Sequence, residues 1–361
     1  MKWVLIAAWI VLIALLGWVT RLAPPAKAQR AWITGPYVYG RLAVFLVHGT
    51  ETDSRRYLTL DEGLRSGEVV VKEIGRGQVN RLDLENRSAR PLFLQDGDRL
   101  SGGKQDRIIG SSQVVLPRSG RVSVESFCIE RGRWTSHDGS MSFTSARNCA
   151  LATNAVRYAG NVEASQARVW EEVEAEKARV GLRRTSSLSD VLDDPTIEAQ
   201  ATRIVVALQS MLDRTDDVVG AAFAINGEVL EAAFYPSSDL FAKIYPRLLL
   251  TYAIEATLAT GNERTATTED VERFIRSEDD AYTLRIRGSD TPPRDDTARP
   301  GPRPRTTLNI KNPDGTTRQM CVDNCSLEST GTMLSTATRP GLKRETTYQG
   351  AVVHRQWLRR R

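Results

Sequence analysis

The chain has 361 residues, of which 41% are hydrophobic and 26% are charged. This length allows one large domain or two modest ones, and the composition excludes a wholly disordered, collagen-like or multi-span membrane protein. The formal net charge is +5, but residues 1–30 contain four basic residues and no acidic one, which leaves 45 basic against 44 acidic residues in the remainder. Because nucleic-acid binding requires a basic surface, this balance argues against a nucleic-acid partner.

The first predicted element is the uncharged apolar segment Trp3–Val19. The small-residue site Ala26-Lys27-Ala28 follows it, as in a cleaved secretory signal. The segment also reaches the lower limit of the about 17–25 apolar residues that a membrane-spanning helix needs. Two interpretations stay open for residues 1–28. They are a signal peptide that ends at Ala28, or they are an uncleaved transmembrane helix that anchors the protein in the membrane, which is then its partner. Both predict an extracytoplasmic protein, periplasmic or secreted.

The chain contains four cysteines, an even number that suits disulfide bonds in an exported protein. The short loop between Cys321 and Cys325 suggests one pair, which leaves Cys128 and Cys149 as the second. Free thiols are the alternative. We expect no metal site, because the cysteine spacing and the three histidines do not match zinc-binding motifs. No motif indicates a cofactor.

Residues 36–134 read as short strands, which predict an antiparallel, sandwich-like arrangement. The run Tyr37–Val47 predicts the first strand, and Thr59 is expected to cap a short helix. Asp96-Gly97 predicts a two-residue hairpin. The predicted fold class is therefore α+β, with a β-rich N-terminal half in a single domain over residues 32–288.

The second half predicts amphipathic helices packed on a second sheet. Asp194 and Pro195 begin one helix, and Asn226-Gly227 joins the two strands of the clearest hairpin. Pro246 is expected to kink or restart the helix that begins near Ser238.

The C-terminal region begins after a predicted strand at Tyr282–Ile286. Residues 289–305 contain five prolines and predict a linker or long loop. Beyond it, residues 306–357 predict strands that return to the domain, and the last of them is Thr347–Trp357.

Two short segments carry the candidate ligand site, and their spacing allows strands ending near Arg107 and near Arg133 to be neighbours. Glycine N–H groups and cationic side chains suit a small anion, while a tryptophan ring suits a planar group. The alternative is two tight turns with solvated charges and a tryptophan that packs on the fold. The candidate residues are Gly102, Gly103, Lys104, Arg107, Glu130, Arg133 and Trp134.

The sequence identifies no catalytic residue. His137 and Asp138 suggest a hydrolase triad, but no Gly-x-Ser-x-Gly elbow accompanies them. No nucleophile–base pair, metal cluster or cofactor loop in the sequence is specific enough to identify an active site. The sequence therefore favours a non-catalytic ligand-binding or scaffolding module. The alternative is a hydrolase or transferase that acts on a phosphorylated or ADP-ribose-like substrate.

Motifs in both halves carry a family resemblance. They are Tyr57–Leu64, Leu84–Arg87, Asp96–Asp98, Gly103–Arg107, Glu130–Trp134, Val169-Trp170, Val219–Gly227, Leu240–Leu248, Tyr252-Ala253 and Gly350–His354. These motifs resemble a bacterial family named for its genomic association with ADP-ribosylglycohydrolase and rhodanese-phosphatase proteins. The resemblance covers residues 35–290 and the last strand.

The resemblance implies no specific activity, because the family name reports genomic neighbours rather than chemistry. Those neighbours are the reason for including an ADP-ribose-like substrate in the enzymatic alternative. The predicted leader and the Pro-rich segment depart from the usual pattern of the family, which argues against a cytoplasmic, nucleotide-linked role.

Overall fold

A computed structural model describes residues 32–135, 139–181, 187–210, 217–279, 306–311, 317–322, 333–335, 341–348 and 351–359. The predicted leader, the strand at Tyr282–Ile286, the Pro-rich segment, Cys325 and the pair His137-Asp138 lie outside these residues. Within the described ranges, no helix has the length and apolar character needed to cross a membrane. The choice between signal peptide and anchor therefore stays a prediction.

Strands dominate the first half of the described chain, and helices are concentrated between residues 154 and 279. The strands are β1 (Trp32–Tyr39), β2 (Leu42–His48), β3 (Leu58–Thr59), β4 (Val69–Glu73), β5 (Arg81–Asn86), β6 (Leu92–Leu94), β7 (Arg99–Gly102), β8 (Arg107–Ile109), β9 (Gln113–Val115), β10 (Arg121–Cys128), β11 (Phe143–Ser145), β12 (Val218–Ile225), β13 (Glu228–Phe234), β14 (Thr306–Lys311), β15 (Thr317–Val322), β16 (Met333–Ser335), β17 (Gly341–Tyr348) and β18 (Ala351–Arg359). The helices are α1 (Leu60–Ser66), α2 (Asn154–Arg157) with a π-helical turn (Tyr158–Val162), α3 (Gln166–Arg179), α4 (Leu188–Leu192), α5 (Pro195–Gln209), α6 (Ser238–Leu258) and α7 (Thr268–Asp279).

The larger sheet has seven antiparallel strands in the order β1-β2-β12-β13-β18-β17-β16. Strands β2 and β12 are buried along their whole length. Leu42 and Val44 of β2 join a core cluster with residues of α5 and α6, whereas Ala43 and Phe45 join a second cluster with Val271 of α7. Because both faces of the sheet are covered, its central strands are continuous apolar runs rather than alternating ones.

A six-stranded antiparallel sheet, in the order β11-β7-β8-β10-β5-β4, comes entirely from the first half. Its core contains alternating residues such as Leu82 and Leu84 of β5. The short strands β3, β6 and β9 form a third sheet. The α+β class with antiparallel sheets is confirmed.

The seven-stranded sheet combines strands from the first and second halves of the chain, which the sequence did not predict. Strand β2 pairs with β1 on one side and with the second-half strand β12 on the other, and β18 returns to pair with β13. The predicted single strand Tyr37–Val47 is instead two strands that meet at Gly40, where φ is +55°. The predicted last strand is likewise divided between β17 and β18.

The predicted hairpin at Asp96-Gly97 is wrong. Strand β6 before the turn pairs with β3 and β9, whereas β7 after it pairs with β8 and β11. Asp98 closes the turn by donating its backbone N–H to the carbonyl of Gln95 at 3.0 Å. The turn thus passes the chain between two sheets, and its two carboxylates pair with the buried arginines Arg157 and Arg247.

Local signals for helix ends and for the second hairpin are confirmed. Thr59 and Glu62 form a complete capping box at the start of α1, and Asp194 caps α5 with Pro195 in its first turn. Asn226 and Gly227, both with positive φ, join β12 to β13. The helix α6, by contrast, continues through Pro246 without a break, since buried residues on both sides of the proline hold it in the core.

Candidate functional site

The candidate residues are positioned by three strands of the six-stranded sheet. Strands β7 and β8 are joined by a turn, and Arg107 in β8 lies opposite Cys128 in β10. After β10 the chain continues beside that turn, where the Ile129 N–H donates to the carbonyl of Asp106 at 3.0 Å. The two segments that the spacing predicted to be neighbours therefore lie side by side.

The guanidinium of Arg107 is fully buried and neutralised inside the protein. Its Nη2 lies 3.3 and 3.4 Å from the two carboxylate oxygens of Glu73. Its Nη1 donates to the Sγ of Cys128 at 2.7 Å and to the carbonyl of Val79. With 0% of its surface exposed, Arg107 is a structural support for the site and makes no direct contact with a solvent-borne ligand.

Arg133 and Glu130 also satisfy each other. The Nε of Arg133 lies 2.8 Å from both carboxylate oxygens of Glu130, and its Nη1 donates to the carbonyl of Gly103 at 3.0 Å. The pKa of Arg133 is raised, because hydrogen bonding to Glu130 and the charges of Glu130 and Asp106 outweigh the lowering effect of burial. The guanidinium of Arg133 is therefore held by partners within the protein.

The two glycines have a packing role that the sequence did not reveal. The Gly102 N–H donates to Asp106 Oδ1 at 3.2 Å, and the Gly103 N–H donates to the carbonyl of Ser142 at 3.1 Å. Neither N–H group is left for an anion. Gly103 has φ of +51°, and a Cβ at this position would lie 2.3 Å from Cζ of the buried Phe143 ring.

We predict that Gly103→Ala destabilises the protein more than Gly75→Ala does. Gly75 has a similar φ of +56° but nothing within 4 Å of an added Cβ, so both variants carry the left-handed backbone strain of about 1–2 kcal/mol. Only Gly103→Ala also pushes against Phe143, which adds about 1–3 kcal/mol. Urea unfolding of the two variants measures the difference, and equal losses would show that Phe143 yields without cost.

Lys104 and Trp134 form the accessible part of the site, which we call the Lys104–Trp134 patch. The Lys104 Nζ lies 5.1 Å from the centroid of the Trp134 ring, and Arg107 Cζ lies 5.8 Å from it. Trp134 is 41% exposed and Lys104 is half-buried. Among the described residues, Lys104 forms no ion pair, so the patch presents one uncompensated cation beside an exposed aromatic ring.

Asp96 and Asp98 do not converge with this patch. Both are buried in the core, where they face arginines that sequence reasoning missed. Asp96 pairs with Arg157, and Asp98 lies 2.5 Å from a guanidinium nitrogen of Arg247.

Arg157 organises a fully buried polar cluster, the Arg157 network. Its guanidinium lies 3.1 Å from Asp96 and donates to both oxygens of Glu231 at 2.7 and 2.9 Å. Glu231 also accepts from Tyr252 and from Gln356, each at 2.5 Å. Although burial opposes it, the charges of Asp96 and Glu231 raise the pKa of Arg157 well above its ordinary value. The network joins α2, α6, β13, β18 and the turn after β6. Its three charged side chains, Arg157, Asp96 and Glu231, are fully shielded from solvent.

A hydroxyl–imidazole–carboxylate chain, also missed from the sequence, lies at the end of the seven-stranded sheet. His48 places Nδ1 2.9 Å from Asp217 and Nε2 2.8 Å from the hydroxyl of Thr34. This is the order of groups in a nucleophile–base–orienter triad. The Tyr37 hydroxyl already donates to Thr34 at 3.3 Å, and the Trp32 ring stacks on His48. We interpret the chain as a polar link between β1, β2 and β12.

The predicted disulfide between Cys128 and Cys149 is wrong, because both are free thiols in different surroundings. Cys128 is buried against Arg107, and burial raises its pKa to about 11. Cys149 is half-buried beside Arg247, whose Nε donates to the Cys149 carbonyl at 3.1 Å. The other proposed pair includes Cys325, which lies outside the described residues, so that pairing stays a prediction.

Among the described residues, no group of three or more histidine, cysteine, aspartate or glutamate side chains is arranged to hold a metal ion. The seven candidate residues thus offer one cation and one aromatic ring to solvent, and internally paired charges behind them.

Comparison with known proteins agrees with the resemblance seen in the sequence. The family model described as the ARG and Rhodanese-Phosphatase-superfamily-associated Protein domain matches residues 31–290. No curated protein matches the chain, and no solved structure does. Because the matched region covers more than half of the chain, this protein belongs to that family.

Proposed function

We propose that this member of the family is a non-catalytic binding module whose ligand is a small anion carrying a planar group. The observation that carries the proposal is the Lys104–Trp134 patch, in which an ammonium group without an ion-pair partner among the described residues lies beside a ring that is 41% exposed. The ammonium group supplies a charge-assisted hydrogen bond to phosphate or carboxylate. The exposed ring supplies an apolar surface for a base or another flat group.

The internal pairing behind the patch favours binding over catalysis. A general acid or base needs a carboxyl group within reach of the substrate and free to exchange a proton. Glu130, the candidate for that role, accepts from Arg133 through both oxygens and from the backbone N–H of Asp106 at 3.2 Å. Its carboxylate is committed to holding the segment in place.

The expected affinity is modest, because the Lys104–Trp134 patch contributes a single cation without an ion-pair partner among the described residues. One charge-assisted hydrogen bond contributes about 1.5–3 kcal/mol, and stacking of one base on an aromatic ring contributes about 1–3 kcal/mol. Together they contribute about 2.5–6 kcal/mol, which corresponds to millimolar binding and at best to a Kd of about 50 μM, and such affinity suits a reversible sensor or scaffold.

We predict that Lys104→Ala and Trp134→Ala each weaken binding by about tenfold, the effect of about 1.4 kcal/mol. The probes are AMP and ADP-ribose, measured by thermal shift and by isothermal titration calorimetry. Glucose 6-phosphate has a phosphate but no planar group, so it is expected to bind more weakly than AMP. The matched controls are Trp32→Ala, which removes a tryptophan that is 50% exposed elsewhere, and Arg203→Ala, which removes an exposed cation on α5.

Three results would contradict this proposal. The wild-type protein could show no response to any probe, the patch variants could respond like the wild type, or the controls could lose as much affinity as the patch variants. Release of phosphate or of a ribose product from a probe would instead favour the hydrolase or transferase alternative.

We further infer that the protein acts outside the cytoplasm, in the periplasm or after secretion. The apolar segment Trp3–Val19 and the small residues before position 29 support this, whereas the cysteine argument now depends on Cys321 and Cys325 alone. N-terminal sequencing of the native protein tests it: a mature chain beginning at Gln29 supports cleavage after Ala28. A chain beginning at Met1 and extracted only by detergent supports the anchor.

A further inference from the structure

The first strand of the seven-stranded sheet has an open edge. Strand β1 pairs with β2 on one side, and no backbone hydrogen bond joins its other side to another described residue. The whole strand, Trp32–Tyr39, contains no charged residue. An open strand edge is a template for pairing with another chain, and proteins that avoid such pairing often place charged side chains there.

Exposed apolar side chains are concentrated on this same strand. Trp32, Val38 and Tyr39 are 50%, 44% and 42% exposed. They are three of the six large hydrophobic residues that are exposed in the described part of the chain. Because single exposed hydrophobic residues are ordinary but their concentration on one uncharged edge is not, this edge is a candidate interaction surface.

Strand β1 is nearly palindromic in the chemistry of its side chains. Its pairing with β2 is irregular only between Thr34 and Tyr37, at the central residues Gly35 and Pro36. Counted inward from both ends, residues at matching positions therefore lie on the same face of the sheet. These matching positions are Trp32 with Tyr39, Ile33 with Val38, and Thr34 with Tyr37.

Antiparallel pairing of two β1 strands about a two-fold axis at Gly35-Pro36 brings the matching positions opposite each other. Residues directly opposite in antiparallel strands share a face, so an aromatic side chain meets an aromatic one and an aliphatic side chain meets an aliphatic one. Pro36 has no N–H to donate, but it falls at the axis, where only the centre of the ladder is interrupted. A two-fold interface requires a surface that is complementary to itself, and β1 is such a surface.

We propose that a second copy of this chain pairs with β1 in this register and joins two seven-stranded sheets into one continuous sheet. The charges of the protein allow this contact. Beyond residue 30 the chain has 45 basic and 44 acidic residues, so two copies carry little net charge to repel each other, and β1 itself brings no like charges together.

The contact is small, and the dimer is therefore expected to be reversible. Strand β1 supplies eight residues from each copy, whereas a standard interface uses about 20–30 residues a side. We expect a dissociation constant in the micromolar range. The Lys104–Trp134 patch lies at the other, six-stranded sheet, so this inference does not depend on the proposed function.

Sedimentation velocity and light scattering test the proposal on the full chain, purified in a mild detergent that retains an anchored form. Val38→Glu places a carboxylate on the apolar edge of both copies and should weaken dimerisation at least tenfold. Val206→Glu is the matched control, because Val206 lies on α5 and is 63% exposed. We expect this control to dimerise like the wild type. Circular dichroism checks that each variant is folded.

A charge-pair rescue tests the register. Trp32 and Tyr39 lie about 20 Å apart along one strand, so they do not pair within one copy. In the proposed register, each lies opposite the other residue of the second copy. Tyr39→Glu alone should weaken dimerisation at least tenfold, and adding Trp32→Lys should restore part of the loss. Adding Val206→Lys instead supplies the same charge elsewhere and should restore nothing.

The proposal is overturned if the wild type stays monomeric throughout the micromolar range, because the edge is then open or is covered by a different protein. It is also overturned if Val38→Glu and Tyr39→Glu dimerise as tightly as the wild type, because another surface then forms the dimer. Equal rescue by Trp32→Lys and Val206→Lys would reject the register, and with it the pairing of the two β1 strands.

Discussion

Arg157→Ala is expected to lower the unfolding free energy by about 3–5 kcal/mol, the usual cost of removing one member of a buried ion pair. The variant leaves Asp96 and Glu231 charged in a site from which water is excluded, since all three side chains are 0% exposed. The cost comes mainly from those two orphaned carboxylates. Replacing an entire buried ion pair by neutral groups is often much less harmful.

Urea unfolding tests this prediction with two comparisons. In the first, Arg90→Ala removes a surface cation 3.1 Å from Glu68, with both side chains about two-fifths exposed, and should change stability by no more than about 1 kcal/mol. In the second, Asp96→Asn and Glu231→Gln are added to Arg157→Ala and should restore part of the loss. An Arg157→Ala loss as small as that of Arg90→Ala would show that the buried network contributes little. If Arg157→Ala does not fold, Arg157→Lys provides the same comparison.

The sequence predicted those parts of the fold that depend on neighbouring residues. Thr59 and Glu62 lie three residues apart, so their capping box is visible in the sequence. Asn226 and Gly227 define their own turn for the same reason. Asp96-Gly97 has equally good turn chemistry, yet it joins strands of different sheets, because strand pairing is decided by distant partners.

The candidate site was predictable in position but not in chemistry. The short spacing between β8 and β10 made it foreseeable that the segments containing Arg107 and Arg133 would be neighbours. Their neutralisation by Glu73 and Asp106 was not, because nothing in the local pattern distinguishes a buried arginine from a solvated one.

The Arg157 network and the contacts of Arg247 were missed for a similar reason, namely long sequence separation. Arg157 contacts Glu231 across 74 residues, and Arg247 contacts Cys149 across 98. The segment Asp96–Asp98 was interpreted as a hairpin turn and as a family motif, although its acidic residues are the partners of both arginines. A buried acidic turn between apolar strands is therefore a useful signal for an internal cation.

His354 is expected to make the protein lose stability as the pH falls from about 6.5 to about 4. The ring is buried against Phe93 and Tyr235, and its Nε2 has no hydrogen-bond partner among the described residues. Burial lowers the pKa of His354 from 6.5 to about 4, and the charge of Arg157 acts in the same direction. The negative charges of Asp96 and Glu231 oppose the shift but do not overcome it. In the folded protein, His354 is therefore neutral over most of this range.

The sign of the effect follows from proton uptake. Between pH 6.5 and about 4 the unfolded chain binds a proton at His354 that the folded protein does not bind, so acidification favours unfolding. At about 1.4 kcal/mol for each pH unit, the contribution lost across this range is about 3 kcal/mol. The variant His354→Gln has no proton to bind there and should lose this part of the pH dependence. Urea unfolding between pH 4 and pH 9 gives the unfolding free energy of both proteins as a function of pH. The two curves should run parallel above pH 7 and should approach or cross below pH 6.5. The pKa of Asp98 is raised by burial, so this carboxyl group has the opposite effect on the pH dependence of stability. Because Asp98 is present in both proteins, its effect cancels in the difference between them. A difference in unfolding free energy that stays constant from pH 9 to pH 4 would show that His354 is not the group responsible.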